Sequence, residues 1–226
     1  HISWDISQAE KGGFKHFMLK EINEQPKIIE NLINLRINQE TNKITFKEQN
    51  IPEDKLKNIT NIAIVACGTA YHAGVVGKYI LESICGIPTS VDLASEFRYR
   101  DLLIDQNTLA IAISQSGETA DTLAGVREAK KHGVPMLSIC NVLGSSLTRE
   151  SDGVIYTHAG PEIGVASTKA YTAQLTALYL FAFYLAEIRN ILTQDKINRH
   201  LEGLRSVPKL QELVLKQQEA IASLSH

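Results

Sequence analysis

From Asn61 onward the sequence alternates between two kinds of segment. "NIAIVACG", "TSVDLAS", "TLAIAISQS", "PMLSICN" and "GVIYTHA" are short apolar runs. Between them "AYHAGVVGKYILESICG", "SEFRYRDLL", "TADTLAGVREAKKHG" and "GSSLTRES" carry apolar residues at helical spacing. Short strands alternating with helices are βαβ units, which build a parallel sheet. Strands that are apolar on both faces need helices on both sides. The pattern therefore predicts an α/β chain: a three-layer α/β/α sandwich around a five-stranded parallel sheet.

The flanking regions do not follow this rhythm. "HFMLKEINEQPKIIENLINLRI" has helical spacing, and "EQP" predicts a break, with Pro26 opening a second helix. After "GVIYTHA", the stretch "STKAYTAQLTALYLFAFYLAEIRN" reads as one long apolar helix. "TQDKINRHLEGLRS" and "PKLQELVLKQQEAIASL" read as two more. The uncharged run Ala170 to Ala186 is near the lower limit for a membrane span, but Thr172, Gln174 and Thr176 interrupt it. It is read as a buried core helix. The boundaries expected are a helical lead-in over 1–50, the α/β domain over 51–190 and C-terminal helices over 191–226. The chain opens on His1, within a polar segment that reads as part of something longer.

A formal charge of −2 in 226 residues gives no basic field for nucleic acid and no polybasic patch for a membrane. An anionic ligand would have to be held locally. Cys67, Cys85 and Cys140 have no paired spacing, so buried free thiols in a cytoplasmic protein are expected. No metal-ligand spacing is present, and neither metal nor cofactor is expected.

Open parallel sheets bind ligands beyond the carboxyl ends of their strands. Three hydroxyl-rich segments fall there: "CGTAYHAG", "SQSGET" and "GPEIGVASTK". In the second, Ser114, Ser116 and Thr119 supply neutral donors. Gly117 permits a close backbone approach, and a helix starting near Glu118 offers free N–H groups and its positive dipole end. A phosphate dianion can be held this way without Lys or Arg. Glu118 is expected to point away. In the first segment Gly68 turns the chain, and Thr69 either caps the next helix or meets the ligand. Cys67 is read as a structural thiol and His72 as a surface or core histidine. In the third, Ser167 or Thr168 is a candidate helix cap, and Lys169 is read as a surface lysine. Glu96, Glu118 and Glu162 are read as solvated or interface charges.

"ACGTAYHAG", "ASEFRYR", "SQSGETADTLAG", "CNVLGSSLTRESD" and "EIGVASTKAYTAQL" together resemble the glutamine–fructose-6-phosphate aminotransferase (isomerising) family, also called glucosamine-6-phosphate synthases. The resemblance extends over essentially the whole chain. It implies the first of two sugar isomerase (SIS) domains, a flavodoxin-like fold. The N-terminal glutaminase and the second SIS domain would be missing. By this resemblance Ser114, Gln115, Ser116 and Thr119 bind the phosphate of fructose 6-phosphate or glucosamine 6-phosphate. Gly68, Thr69, Val165 and Ser167 line the sugar. The family commonly has Cys-Gly-Thr-Ser where this chain has Ala70, so one hydroxyl contact is lost.

Such an enzyme forms an imine from the open-chain ketose and ammonia, then moves a proton between C1 and C2. The family's catalytic groups lie in the second SIS domain, so no residue here is assigned as catalytic and the chain alone is expected to be inactive. A stand-alone SIS regulatory module is the alternative. A flavin or nucleotide binder is disfavoured because phosphate-loop glycines are absent. A homodimer is expected, with the aromatic and arginine residues of "ASEFRYR" at the interface.

Overall fold

The computed structural model describes residues 10–224, so the first nine residues of the expected lead-in lie outside the described part, as do the last two of the chain. Five strands, β1 (Asn61–Ala66), β2 (Thr89–Leu93), β3 (Thr108–Ser114), β4 (Met136–Cys140) and β5 (Gly153–Tyr156), form one sheet in the order β2-β1-β3-β4-β5. Every pairing is parallel: Ile64 lies beside Val91 and Ile111, and Ile139 beside Ile155.

The strand residues sort by alternation, as a period of two requires. Ile62, Ile64, Leu109, Ile111, Ile113, Leu137 and Ile139 belong to one core cluster, with large aliphatic side chains. Ala63, Val65, Ala110 and Ala112 belong to the other, with mostly small ones. The larger cluster is covered by α1 (Phe17–Arg36), α3 (Gly68–Cys85), α7 (Lys169–Ile188) and α8 (Gln194–Leu215). The smaller is covered by α4 (Ala94–Phe97), α5 (Ala120–Lys131) and α6 (Ser146–Glu150). A short α2 (Glu53–Asn58) leads into β1, and α9 (Gln218–Leu224) follows α8. This is the three-layer sandwich expected.

Three helical expectations need correction. The break at "EQP" does not occur: α1 runs unbroken through Pro26. Proline lacks the N–H that residue 26 would donate to the carbonyl of Ile22. The Gln25 side chain replaces it, its Nε2 donating to that carbonyl at 3.0 Å. Replacing Gln25 with Ala should therefore cost about 1 kcal/mol. Thermal denaturation would read this as a fall of about 2–4 °C.

Likewise α8 continues through Pro208, with Ile197, Leu201 and Leu204 burying its first half, and the break falls after Leu215. In contrast, "SEFRYRDLL" yields only the four-residue α4. Phe97 is fully buried, and Arg100 then folds back to Asp92 at 2.8 Å while Arg98 reaches Asp121 at 3.2 Å. Those contacts outweigh a helix too short to stabilise itself.

The long apolar run forms α7, buried along most of its length, in line with a core helix. No helix among the described residues is long and apolar enough to cross a membrane.

Candidate functional site

The strand order places β1 at the point where the chain first winds to one side and then to the other. A crevice is expected there, between the carboxyl ends of β1 and β3. The turn 114–119 sits at that place. Gly117 has φ +68°, a left-handed conformation that glycine adopts without strain. Ser114 Oγ accepts the Gly117 N–H at 2.9 Å, and Ser116 Oγ accepts the Glu118 N–H at 3.2 Å. The turn is thus ordered by its own serines. Both hydroxyl protons are left to donate elsewhere. Ser114 is nearly buried, while Gln115, Ser116 and Thr119 are partly exposed.

Thr119 is the residue before α5, which begins at Ala120 instead of near Glu118. Its side chain makes no cap bond, so the first N–H groups of the twelve-residue helix remain available. Glu118 does point away. Its Oε1 accepts the N–H of Ser146 at 2.8 Å and caps α6. The Ser146 N–H and hydroxyl, with Arg149 nearby, hold this carboxyl below the usual range even though it is exposed. It therefore stays charged but is committed to α6, so the reading of Glu118 as a merely solvated charge is replaced by a capping role.

Gly68 (φ +57°) opens α3, with Thr69 exposed on its first turn and Ala70 buried beneath. This segment neighbours the turn through the register Ala66 with Ile113. Cys67 is half-buried and accepts the Thr122 hydroxyl at 3.8 Å, linking the two segments. Cys85 and Cys140 are buried, and burial raises both thiols, Cys85 to about 12 despite Arg189. Neither is a thiolate near neutral pH.

Asn141, which the sequence reading passed over, joins the second and third segments. Its N–H donates to Gln115 O at 3.3 Å, and its Nδ2 donates to Gly160 O at 2.7 Å. Its Oδ1 accepts the Ala159 N–H and the Thr157 hydroxyl. One buried amide thereby fixes both loops. An Asn after a buried strand is the only sequence signal for it.

The loop 160–168 carries Val165, fully exposed, and Ser167, half-buried. Three expectations fail here. Thr168 is the residue before α7, but its side chain makes no cap bond. Glu162 does the capping: it accepts the N–H groups of Thr168 (2.9 Å) and Ala170 (3.1 Å) and the Ser167 hydroxyl (2.9 Å). It is therefore no free surface charge. Lys169 is not a surface lysine either; it is 3% exposed and paired with Glu24 at 2.7 Å. A cation on a first helical turn opposes the dipole. The carboxylate from α1 offsets that, and it came from a part of the sequence assigned only a structural role.

A cleft of about 510 Å³ opens at the amino ends of the strands, walled by Lys55, Lys130, Val134 and Asp152. These residues lead into strands, so the cleft is remote from the hydroxyl-rich turns. No cluster of His, Cys, Asp or Glu able to hold a metal occurs among the described residues.

Order and layers together define a doubly wound α/β domain with a pre-formed, hydroxyl-rich turn at its switch point. The SIS domain model matches residues 55–184, and the chain belongs to that family. Among curated proteins, a glutamine–fructose-6-phosphate aminotransferase (isomerizing) of Clostridium acetobutylicum is 51% identical over 98% of this chain and 36% of its own length. Its namesake in Methanosarcina acetivorans is 49% identical, over 97% and 36% respectively. The chain thus spans about a third of the length of these relatives. The solved C-terminal domain of glucosamine-fructose-6-phosphate aminotransferase from Francisella tularensis superposes with a TM-score of 0.90 at 44% identity. That match covers 96% of this chain and 60% of that one.

Proposed function

We propose that this chain is the sugar-phosphate-binding portion of a glutamine–fructose-6-phosphate aminotransferase (isomerising). The ligand is fructose 6-phosphate or its product glucosamine 6-phosphate. The observation that carries this is the turn 114–119: two hydroxyls already oriented by backbone amides, a left-handed glycine and a free helix start, with its one carboxylate turned away. Ser114, Gln115, Ser116 and Thr119 take the phosphate. Gly68 and Thr69 on one side, and Val165 and Ser167 on the other, take the hexose. The sequence relatives and the long match to the Francisella domain support the same assignment.

In this reading residues 51–190 are the SIS domain. The lead-in comes from the glutaminase side, and the C-terminal helices run toward a second SIS domain. The working protein is a cytoplasmic homodimer without cofactor, and it engages neither nucleic acid nor membrane. The base that moves the proton between C1 and C2 lies outside this chain. The pure chain supplied with fructose 6-phosphate and ammonia should make no glucosamine 6-phosphate. Turnover would overturn that assignment.

Titration calorimetry tests the site. Hydrogen bonds to a charged group contribute about 1.5–3 kcal/mol each. The double variant Ser116→Ala/Thr119→Val should therefore weaken glucosamine 6-phosphate by about a hundredfold or more. An unchanged dissociation constant would place the ligand elsewhere.

A further inference from the structure

We propose that Glu21, on α1 and outside the matched SIS residues, is a positioning residue for the hexose end of the site. This rests on the functional reading above and adds to it a requirement for the lead-in helix. Glu21 is 2% exposed. A buried carboxylate is costly unless hydrogen-bonded. Its bonds go to the loop: Oε1 accepts the N–H of Ile163 at 2.6 Å and of Gly164 at 3.0 Å, and Oε2 approaches the latter at 3.1 Å.

The loop between β5 and α7 has no regular structure to hold it. Asn141 holds its start, at residues 157–160, and two carboxylates hold the rest, Glu21 at residues 163–164 and Glu162 at residues 167–170. Val165 stands fully exposed between these two clamps, beside Ala166. Its place is therefore set by its neighbours' backbone bonds and not by packing of its own side chain. The approach is close enough to exclude a side chain at 164: a Cβ there would lie 2.5 Å from Glu21 Oε2 and 3.4 Å from the Met18 backbone. Releasing the Glu21 clamp leaves the phosphate turn intact, because that turn is ordered by Ser114 and Ser116.

The test separates the two ends of the ligand. Calorimetry on the chain would compare glucosamine 6-phosphate, which meets both the turn and the loop, with inorganic phosphate, which meets the turn alone. Glu21→Leu should weaken the sugar phosphate by about tenfold, the worth of one or two lost loop contacts. Inorganic phosphate should bind as before. Glu21→Gln retains one acceptor oxygen and should restore most of the loss. Gly164→Ala, which pushes on the same contact from the loop side, should reproduce it. Amide hydrogen exchange should rise at Ile163 and Gly164 and not at Gly117 or Glu118. Equal weakening of both ligands would show a general structural role and overturn the proposal, as would unchanged sugar-phosphate affinity. Failure of the unaltered chain to bind either ligand would overturn the functional reading itself.

Discussion

Gly117→Ala should abolish measurable binding of glucosamine 6-phosphate and lower the melting temperature by about 6–12 °C. Two costs combine. A non-glycine residue at φ +68° pays about 1–2 kcal/mol for the left-handed conformation. The new methyl also has nowhere to go: its Cβ would lie 2.1 Å from Ser145 Oγ and 2.8 Å from Cys140 Sγ. Those are buried atoms of β4 and the residue before α6, not flexible ends at the surface. Overpacking of this kind costs a further 1–3 kcal/mol or so. The displacement would pull the turn off Ser114 and Leu147, whose N–H donates to Gly117 O at 3.0 Å. On the proposed function, the donors that take the phosphate would lose their common focus. Calorimetry and thermal denaturation on one sample would check both effects, and a variant that kept its affinity would show that the turn does not face the ligand.

Arg36→Met should cost about 2–3 kcal/mol at neutral pH, measured by denaturant unfolding. Arg36 is 2% exposed, with Nη1 on Glu48 at 2.7 Å and Nη2 donating to Tyr156 O at 3.0 Å. It lies against the Phe46 ring and ties the connection after α1 to the end of β5. Loss of the guanidinium strands the Tyr156 carbonyl but leaves Glu48 partly hydrated, which keeps the cost below that of a fully buried orphan charge. The effect has a pH signature. Burial tends to raise the Glu48 carboxyl, but the Arg36 hydrogen bond and charge outweigh it, and the group ends below its ordinary value of 4.5. A carboxyl depressed in the folded state stabilises fully above its unfolded value and loses that contribution as pH falls through the folded one. The gap between Arg36→Met and the unaltered chain should be full at pH 7 and shrink below about pH 4.5.

What sequence reasoning recovers here follows the range of the forces involved. Strand runs such as "NIAIVACG" and "TLAIAISQS" announce themselves because two-sided burial demands continuous apolar residues, and the sheet follows from their alternation with helices. The turn 114–119 is equally legible, since the serines that order it are its own and the glycine that bends it lies between them. Long-range polar bonds are not legible. Lys169 reads as a surface residue because its partner Glu24 is distant in the chain, and Glu162 reads as solvated because its role depends on where a loop folds back. Pro26 fails for a related reason. A rule about missing N–H groups cannot anticipate that the preceding side chain supplies the donor. Asn141 gives almost no signal, although four of its contacts hold two loops together.

The carboxylates of α1 bear on how the chain can be dissected. A piece trimmed to the borders of the recognised family, starting at Lys55, would retain every strand and the whole turn 114–119. It would discard Glu21 and Glu24 and leave Lys169 without its carboxylate partner. The stretch that carries every strand and the stretch that carries the carboxylates clamping the β5–α7 loop are then different lengths of polypeptide.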